Sequence, residues 1–215
     1  MQNLIAGVVY QLDPEHLSDA KVLDLVPDVH SCPYYRRHQT PMYFKTHHLP
    51  RAEYQRVIYL LRDGRDVMVS YYHHLRALNG DAVDFSEIVR TGRHLMPSKW
   101  HEHVNAWRSN PFRAEILTVR YEDLLENPAN ELRRVCDFAG LERSAQLLET
   151  VSRGSSFEKM RAKEKETGWA NPEWPSSRFF VRRGEAGSFK DEMPESVLSV
   201  FLAQAGDTLR ACNYL

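Results

Sequence analysis

The sequence predicts an α/β fold: a three-layer domain with a central parallel sheet flanked by helices. Three observations lead there. Val57–Leu61 is a continuous apolar run of strand length, as expected of a strand buried on both faces of a parallel sheet. Glu115–Arg120 is a second β-like run, and helical periodicity follows both. Strands alternating with helices in this way build βαβ units, whose ligands bind at the carboxyl ends of the strands.

Taken in order, Leu4, Ile5, Val8, Val9 and Leu12 form an apolar stripe at helical spacing that Asp13-Pro14 ends, so a helix begins at about residue 1 with no N-cap before it. Residues 14–40, rich in Pro, His and charge, read as loops with a short helix, and Pro41–His47 as a short strand running into a loop. Asp63-Gly64 breaks the Val57–Leu61 strand, and residues 65–78 carry a helical pattern through Val67, Val69, Tyr71 and Leu75. Further helices are expected over about 83–92 and 98–109, the latter with Trp100, Val104 and Trp107 on one face. After the second strand, Asn127-Pro128 opens a helix over 129–139 that Gly140 closes. Helices over 143–153 and 193–212 complete the pattern, and the charged stretch 161–192, with its Gly, Pro and Trp, reads as a long mobile or ligand-ordered loop.

Composition bounds the function. With 215 residues, 42% hydrophobic and 27% charged, the chain suits one globular domain over 1–215. A formal net charge of −1 points to neither nucleic acid nor an anionic membrane, so any anion site is local. No run reaches the ~18 apolar residues of a membrane span, and the N-terminus lacks the marks of a signal peptide. Cys32, Cys136 and Cys212 are widely spaced and match no metal motif, so three free thiols, no metal and a cytoplasmic setting are expected.

The strand ends hold the chemistry. Lys45-Thr46-His47-His48 brings a cation, a hydroxyl and imidazoles to one place, where proton transfer and oxyanion neutralisation become feasible; a plain polar loop explains the same residues. Arg62 leaves the next strand ahead of a helix whose N-terminal N–H groups and dipole favour a phosphate, with Ser70 two turns further in; the competing reading pairs Arg62 with Asp63 or Asp66 and packs Ser70 inside. Tyr121 follows the second strand and could border a base or belong to the core. Downstream, Ser155, Ser156, Phe157 and Met160 offer hydroxyls, an aromatic and a thioether, and Arg182-Arg183-Gly184 offers two cations that either clamp a phosphate or simply face water.

Together these segments resemble the sulfotransferases that use 3′-phosphoadenosine 5′-phosphosulfate (PAPS). VIYLLRDGRDVMVSYYHH resembles their 3′-phosphate-binding strand–turn–helix, FKTHHLP their KTH-LP segment, RYEDLLENP their YEDL-NP segment, and SSFEKM and RRGEAGSFKD their later cofactor segments, all in the family's order. The resemblance runs from about residue 1 to 215 and implies a P-loop-like sulfotransferase fold. It implies sulfonate transfer from PAPS to a hydroxyl or amine of a small-molecule acceptor, without metal. His47 is then the general base, with His48 ranked second, and Lys45 stabilises charge at the sulfonate or leaving phosphate. Arg62 and Ser70 hold the 3′-phosphate, Arg182, Arg183 and Gly184 close over it, and Tyr121, Ser155, Ser156, Phe157 and Met160 surround the adenine.

The chain departs from the pattern as well. The family opens with a strand and a PKSGTTW-like loop that grips the 5′-phosphosulfate; MQNLIAGVVYQL resembles the helix after that loop, so the first strand and phosphate loop are expected to be missing. That departure keeps an alternative open: a catalytically inactive, truncated sulfotransferase-like protein that binds 3′,5′-diphosphoadenosine or acts through interactions. GSFKD stands where many members have GDWK, and Pro194-Glu195 where a dimer motif of many animal members has Thr-Val, so no dimer by that route is expected. The chain contains no GxxxxGKS or GxxxxGKT, which argues against a nucleotide kinase.

Overall fold

The computed structural model describes all residues except Ala170 and Pro172. Helices α1 (Gln2–Tyr10) and α2 (Asp19–Leu25) precede strand β1 (Arg56–Leu61). Helices α3 (Gly64–Asn79), α4 (Phe85–Thr91) and α5 (Trp100–Ser109) lead to strand β2 (Glu115–Arg120). Then come α6 (Tyr121–Glu126), α7 (Pro128–Ala139), α8 (Ala145–Gly154), α9 (Phe157–Thr167), α10 (Phe189–Glu192) and α11 (Glu195–Ala211). The chain forms two compact units, one of Met1–Thr46 with Asp123–Gly184, the other of His47–Glu122 with Glu185–Leu215.

In the second unit β1 and β2 pair in parallel, in register from Arg56↔Glu115 to Leu61↔Arg120. The helix α11 packs on α3, α4 and α5, and its Val197, Phe201 and Leu209 join Met68, Val69, Ile88 and Val104 in one buried cluster. This agrees with the expected α/β class: a small parallel sheet among many helices.

In the first unit α1 packs on α7 and α8. Val8, Leu132, Val135, Cys136 and Val151 are almost fully enclosed there. Arg143 anchors the end of α1, its Nε and Nη2 donating to the carbonyls of Val8 and Val9 at 2.6 and 3.1 Å. Asn127 caps α7 through Asn130 N, and Gly140 ends it in the left-handed region at φ 69°, as the sequence predicts.

Three expectations need correction. Pro41–His47 forms no strand; it contributes one isolated parallel bridge, Asp28↔Lys45. Its alternating residues gain no continuous ladder, and Phe44 stays 40% exposed. Strand β1 is not buried on both faces: Leu60 is 41% exposed, and Leu61 is the residue of the strand that is buried. Residues 161–192 are not one long loop. The α9 helix continues to Thr167, and α10 occupies Phe189–Glu192. The first of these runs is rich in Lys and Glu and buries mainly Glu164, so it shows little of the apolar period by which helices are read.

Candidate functional site

In the second unit the site is set by the sheet. Parallel pairing places Leu61 beside Arg120, so the next residues, Arg62 and Tyr121, emerge side by side. The Arg62 guanidinium lies over the Tyr121 ring with Cζ 4.3 Å from its centre. The indole of Trp100 donates to the Arg62 carbonyl at 3.1 Å and holds the backbone where the strand ends. Gly64 permits this approach: a Cβ there would come 2.4 Å from Trp100 Cδ2. Glu122 ties the two strand ends together, accepting from Asp63 N at 3.0 Å and from Tyr214 Oη at 2.8 Å.

Arg62 Nη1 reaches Ser70 Oγ at 3.3 Å, and Nη2 donates to the Glu185 carbonyl at 3.1 Å. Its Nε is sealed from solvent without a hydrogen-bond partner among the described residues. The competing ion pair with Asp66 is present, though long: Arg62 Nη2 stands 3.8 Å from Asp66 Oδ2, while Asp63 is engaged by Arg65 at 2.7 Å. Asp66 itself is fully buried and already accepts from Gly187 N, Ser188 Oγ and Phe189 N at 2.7, 3.2 and 2.9 Å. It fixes the segment after Arg182-Arg183-Gly184 onto α3, a role nothing local in the sequence betrays. Burial raises the Tyr121 phenol above its ordinary value, with Arg62 opposing, so the ring is a neutral surface.

The start of α3 is less open than the sequence suggests. The Asp63 carboxylate caps it, accepting from Arg65 N at 2.9 Å, so the helix end is not bare.

His47 is exposed at the beginning of this unit. Its neighbour His48 is tied down: Nδ1 lies 2.6 Å from Tyr54 Oη, and the His48 carbonyl accepts from Trp107 Nε1 at 3.1 Å.

The first unit holds the remaining candidates. Lys45 Nζ is paired with Asp28 Oδ2 at 2.8 Å, and the buried Asp28 is a partner that sequence reading missed. Ser155 ends α8, its Oγ buried and unpartnered among the described residues; Ser156 caps α9 through Lys159 N at 3.3 Å. Phe157 and Met160 occupy the first turn of α9. Gly184 and Phe157 touch: Gly184 has φ 66°, and a Cβ on it would come 2.2 Å from Phe157 Cδ2. Arg182 is half-buried and Arg183 exposed. The approach to them is held by Glu164, a buried carboxylate accepting from Phe180 N at 2.5 Å and Val181 N at 2.8 Å, while Arg161 donates to the Val181 carbonyl. The structure thus joins Arg62, Ser70 and Tyr121 in one unit and Phe157 with Gly184 in the other. Cys32, Cys136 and Cys212 are free thiols. No helix among the described residues is long and apolar enough to cross a membrane.

Comparison with known proteins identifies relatives of this chain. The chain is 27% identical to mouse sulfotransferase 1E1 over 189 residues, which is 81% of this chain and 64% of that protein. It is 31% identical to human sulfotransferase 1C2, covering 62% of this chain and 48% of the relative, and 30% identical to flavonol 3-sulfotransferase of Flaveria bidentis, covering 71% and 55%. The chain therefore spans about half to two thirds of the length of these relatives. Retinol dehydratase crystallised with androsterone and the inactive cofactor PAP superposes with a TM-score of 0.64 at 26% identity, over 80% of this chain and 54% of that one. The same fold recurs in retinol dehydratase with retinol and PAP, at a TM-score of 0.70 and 21% identity, over 97% of this chain and 76% of that one. The sulfotransferase domain profile matches residues 23–210, across both units, and the chain belongs to the sulfotransferase domain family.

Proposed function

We propose that this protein transfers a sulfonate group from PAPS to a hydroxyl or amine of a small-molecule acceptor, in the reducing cytoplasm that suits its free thiols. The observation that carries this reading is Arg62: a strand-end guanidinium that meets Ser70, stacks on Tyr121 and keeps a buried, unpartnered Nε. An orphaned donor on a cation is costly unless an acceptor arrives, and a phosphate oxygen is the fitting one.

PAPS supplies the activated sulfonate. Arg62 and Ser70 bind its 3′-phosphate, with Arg182, Arg183 and Gly184 completing the grip. Tyr121, Ser155, Ser156, Phe157 and Met160 border the adenine. His47 takes the proton from the acceptor, whose freed lone pair attacks sulfur. The bond between sulfur and the bridging oxygen breaks, and that oxygen keeps the electron pair as 3′,5′-diphosphoadenosine leaves. Lys45 neutralises charge in this step, and Asp28 holds its ammonium in place meanwhile. Positioning and charge stabilisation do most of the work, as in phosphoryl transfer.

The test is release of 3′,5′-diphosphoadenosine from PAPS with phenolic, alcoholic and amine acceptors. Acceptor-dependent release that His47→Ala abolishes is expected. No release with any acceptor, or full release by His47→Ala, overturns the proposal.

A further inference from the structure

Beyond α11 the chain turns back onto the two strand ends of its own unit. Asn213 takes the left-handed region at φ 57°; its N–H donates to the Arg210 carbonyl at 3.0 Å, and Tyr214 N donates to the Leu209 carbonyl at 2.9 Å. This pair of bonds is a Schellman ending, which reverses the chain after a helix. Tyr214 is then gripped three times. Its hydroxyl donates to Glu122 Oε2 at 2.8 Å, its carbonyl accepts from Arg65 Nη2 at 2.8 Å, and the Arg120 guanidinium lies over its ring with Cζ 4.2 Å from the centre. Arg120 also donates to the Cys212 carbonyl at 2.8 Å.

Glu122 carries this hold to the site. It follows Tyr121, and its other oxygen, Oε1, accepts at 3.0 Å from the N–H of Asp63, which follows Arg62. One carboxylate thus bridges the two loops from which Arg62 and Tyr121 project, and the Tyr214 hydroxyl occupies its second oxygen. Arg65 adds a parallel link, since the Nη2 that meets the Tyr214 carbonyl also meets Asp63 Oδ2 at 2.7 Å. Burial, and then the Glu122 carboxylate, push the Tyr214 phenol above its ordinary value, so the hydroxyl remains a donor.

We infer that Tyr214 is a positioning residue for the proposed 3′-phosphate site: by anchoring Glu122 it fixes the Arg62-Asp63 and Tyr121-Glu122 backbones against each other, and with them the place of the Arg62 guanidinium over the Tyr121 ring. Tyr214 itself touches no nucleotide; it acts through Glu122. The inference rests on the reading of Arg62 as a phosphate ligand, whereas the brace is a property of the fold alone.

The experiment reads the brace and the site separately. Tyr214→Phe removes one hydroxyl and keeps the ring on Arg120. Exchange of the Asp63 amide, followed by NMR, should then speed by about fivefold or more, as expected of residues that share one hydrogen-bond network. In calorimetry the preference for 3′,5′-diphosphoadenosine over adenosine 5′-monophosphate should fall by about fivefold as well. A tyrosine that only stabilised the fold would lower both affinities together and leave the preference intact. In a Glu122→Ala background, Tyr214→Phe should change the preference no further. Urea unfolding shows whether that background is folded; if it is not, the two readings of Tyr214→Phe alone decide. Unchanged Asp63 exchange or unchanged preference in Tyr214→Phe, or a further loss in the Glu122→Ala background, overturns the inference. If the wild-type chain does not prefer the diphosphate, the 3′-phosphate reading falls and the role of Tyr214 in it falls too, while Asp63 exchange still decides for or against the brace.

Discussion

Arg62, the first residue after β1, places Nη1 3.3 Å from Oγ of Ser70, two turns into α3. The contact spans the strand–turn–helix and joins the two groups proposed to hold a 3′-phosphate. Hydrogen bonds to charged groups contribute about 1.5–3 kcal/mol each, so Ser70→Ala should weaken 3′,5′-diphosphoadenosine binding roughly tenfold or more. Binding of adenosine 5′-monophosphate, which lacks the 3′-phosphate, should be nearly unaffected. Titration calorimetry with both nucleotides checks this; equal losses for the two would place Ser70 elsewhere in the site.

Gly184 cannot carry a side chain without conflict. Its φ of 66° lies in the left-handed region, and a Cβ would run into Phe157 at 2.2 Å. Gly184→Ala should destabilise the protein by about 1–3 kcal/mol in urea unfolding. In a Phe157→Ala background the loss should shrink, because the ring clash disappears while the backbone strain and the close contact with the residue 157 Cβ at 2.9 Å remain. An undiminished loss in the double variant would mean that strain and the Cβ contact alone are responsible.

Glu164 holds Phe180 and Val181 through their N–H groups, just ahead of Arg182. Glu164→Gln retains one acceptor oxygen and removes the charge, so residues 178–183 should open more often. Trypsin should then cleave at Arg178, Arg182 and Arg183 several-fold faster under native conditions, with little change in global unfolding. Cleavage at the wild-type rate would show that the aromatic contacts of Trp169 and Trp174 with Phe180 suffice.

Acid should weaken the fold well above the carboxylate range. His74, His101 and His103 all titrate below the ordinary histidine value, each chiefly because burial disfavours its cation. In the unfolded chain these groups protonate near pH 6.5, so between there and their folded values the unfolded state binds more protons. Stability should therefore be complete above about pH 7.5 and decline as the pH falls toward 5.5. Urea midpoints at the two pH values measure the decline, and a His74→Gln, His103→Gln double variant should flatten it. A double variant with the wild-type slope would assign the acid sensitivity to other groups.

What the sequence reveals is what depends on neighbours along the chain. Val57–Leu61 followed by Asp63-Gly64 announces β1 and α3, and Asn127-Pro128 with Gly140 brackets α7, because strand runs, caps and breakers act locally. Lys45-Thr46-His47 is recognisable as chemistry, whereas the strand expected around it is absent, because a strand needs a partner that composition does not name. Asp66 illustrates the hidden class: its three donors come from residues 187–189, more than 120 positions away, and a carboxylate early in a helix otherwise reads as a favourable first-turn charge. Glu164 is hidden for the same reason, lying in a helix whose charged residues look solvated until the chain folds back over them.

The central claim is that Arg62 marks this fold as a reader of a 3′-phosphate on adenosine, and one calorimetric comparison tests it most directly. 3′,5′-Diphosphoadenosine and adenosine 5′-monophosphate are titrated into the wild-type chain and into Arg62→Ala. The diphosphate should bind the wild-type chain at least tenfold more tightly than the monophosphate, and Arg62→Ala should erase that preference while keeping its unfolding transition. Equal affinity for the two nucleotides in the wild-type chain, or a preference that survives Arg62→Ala, would contradict it.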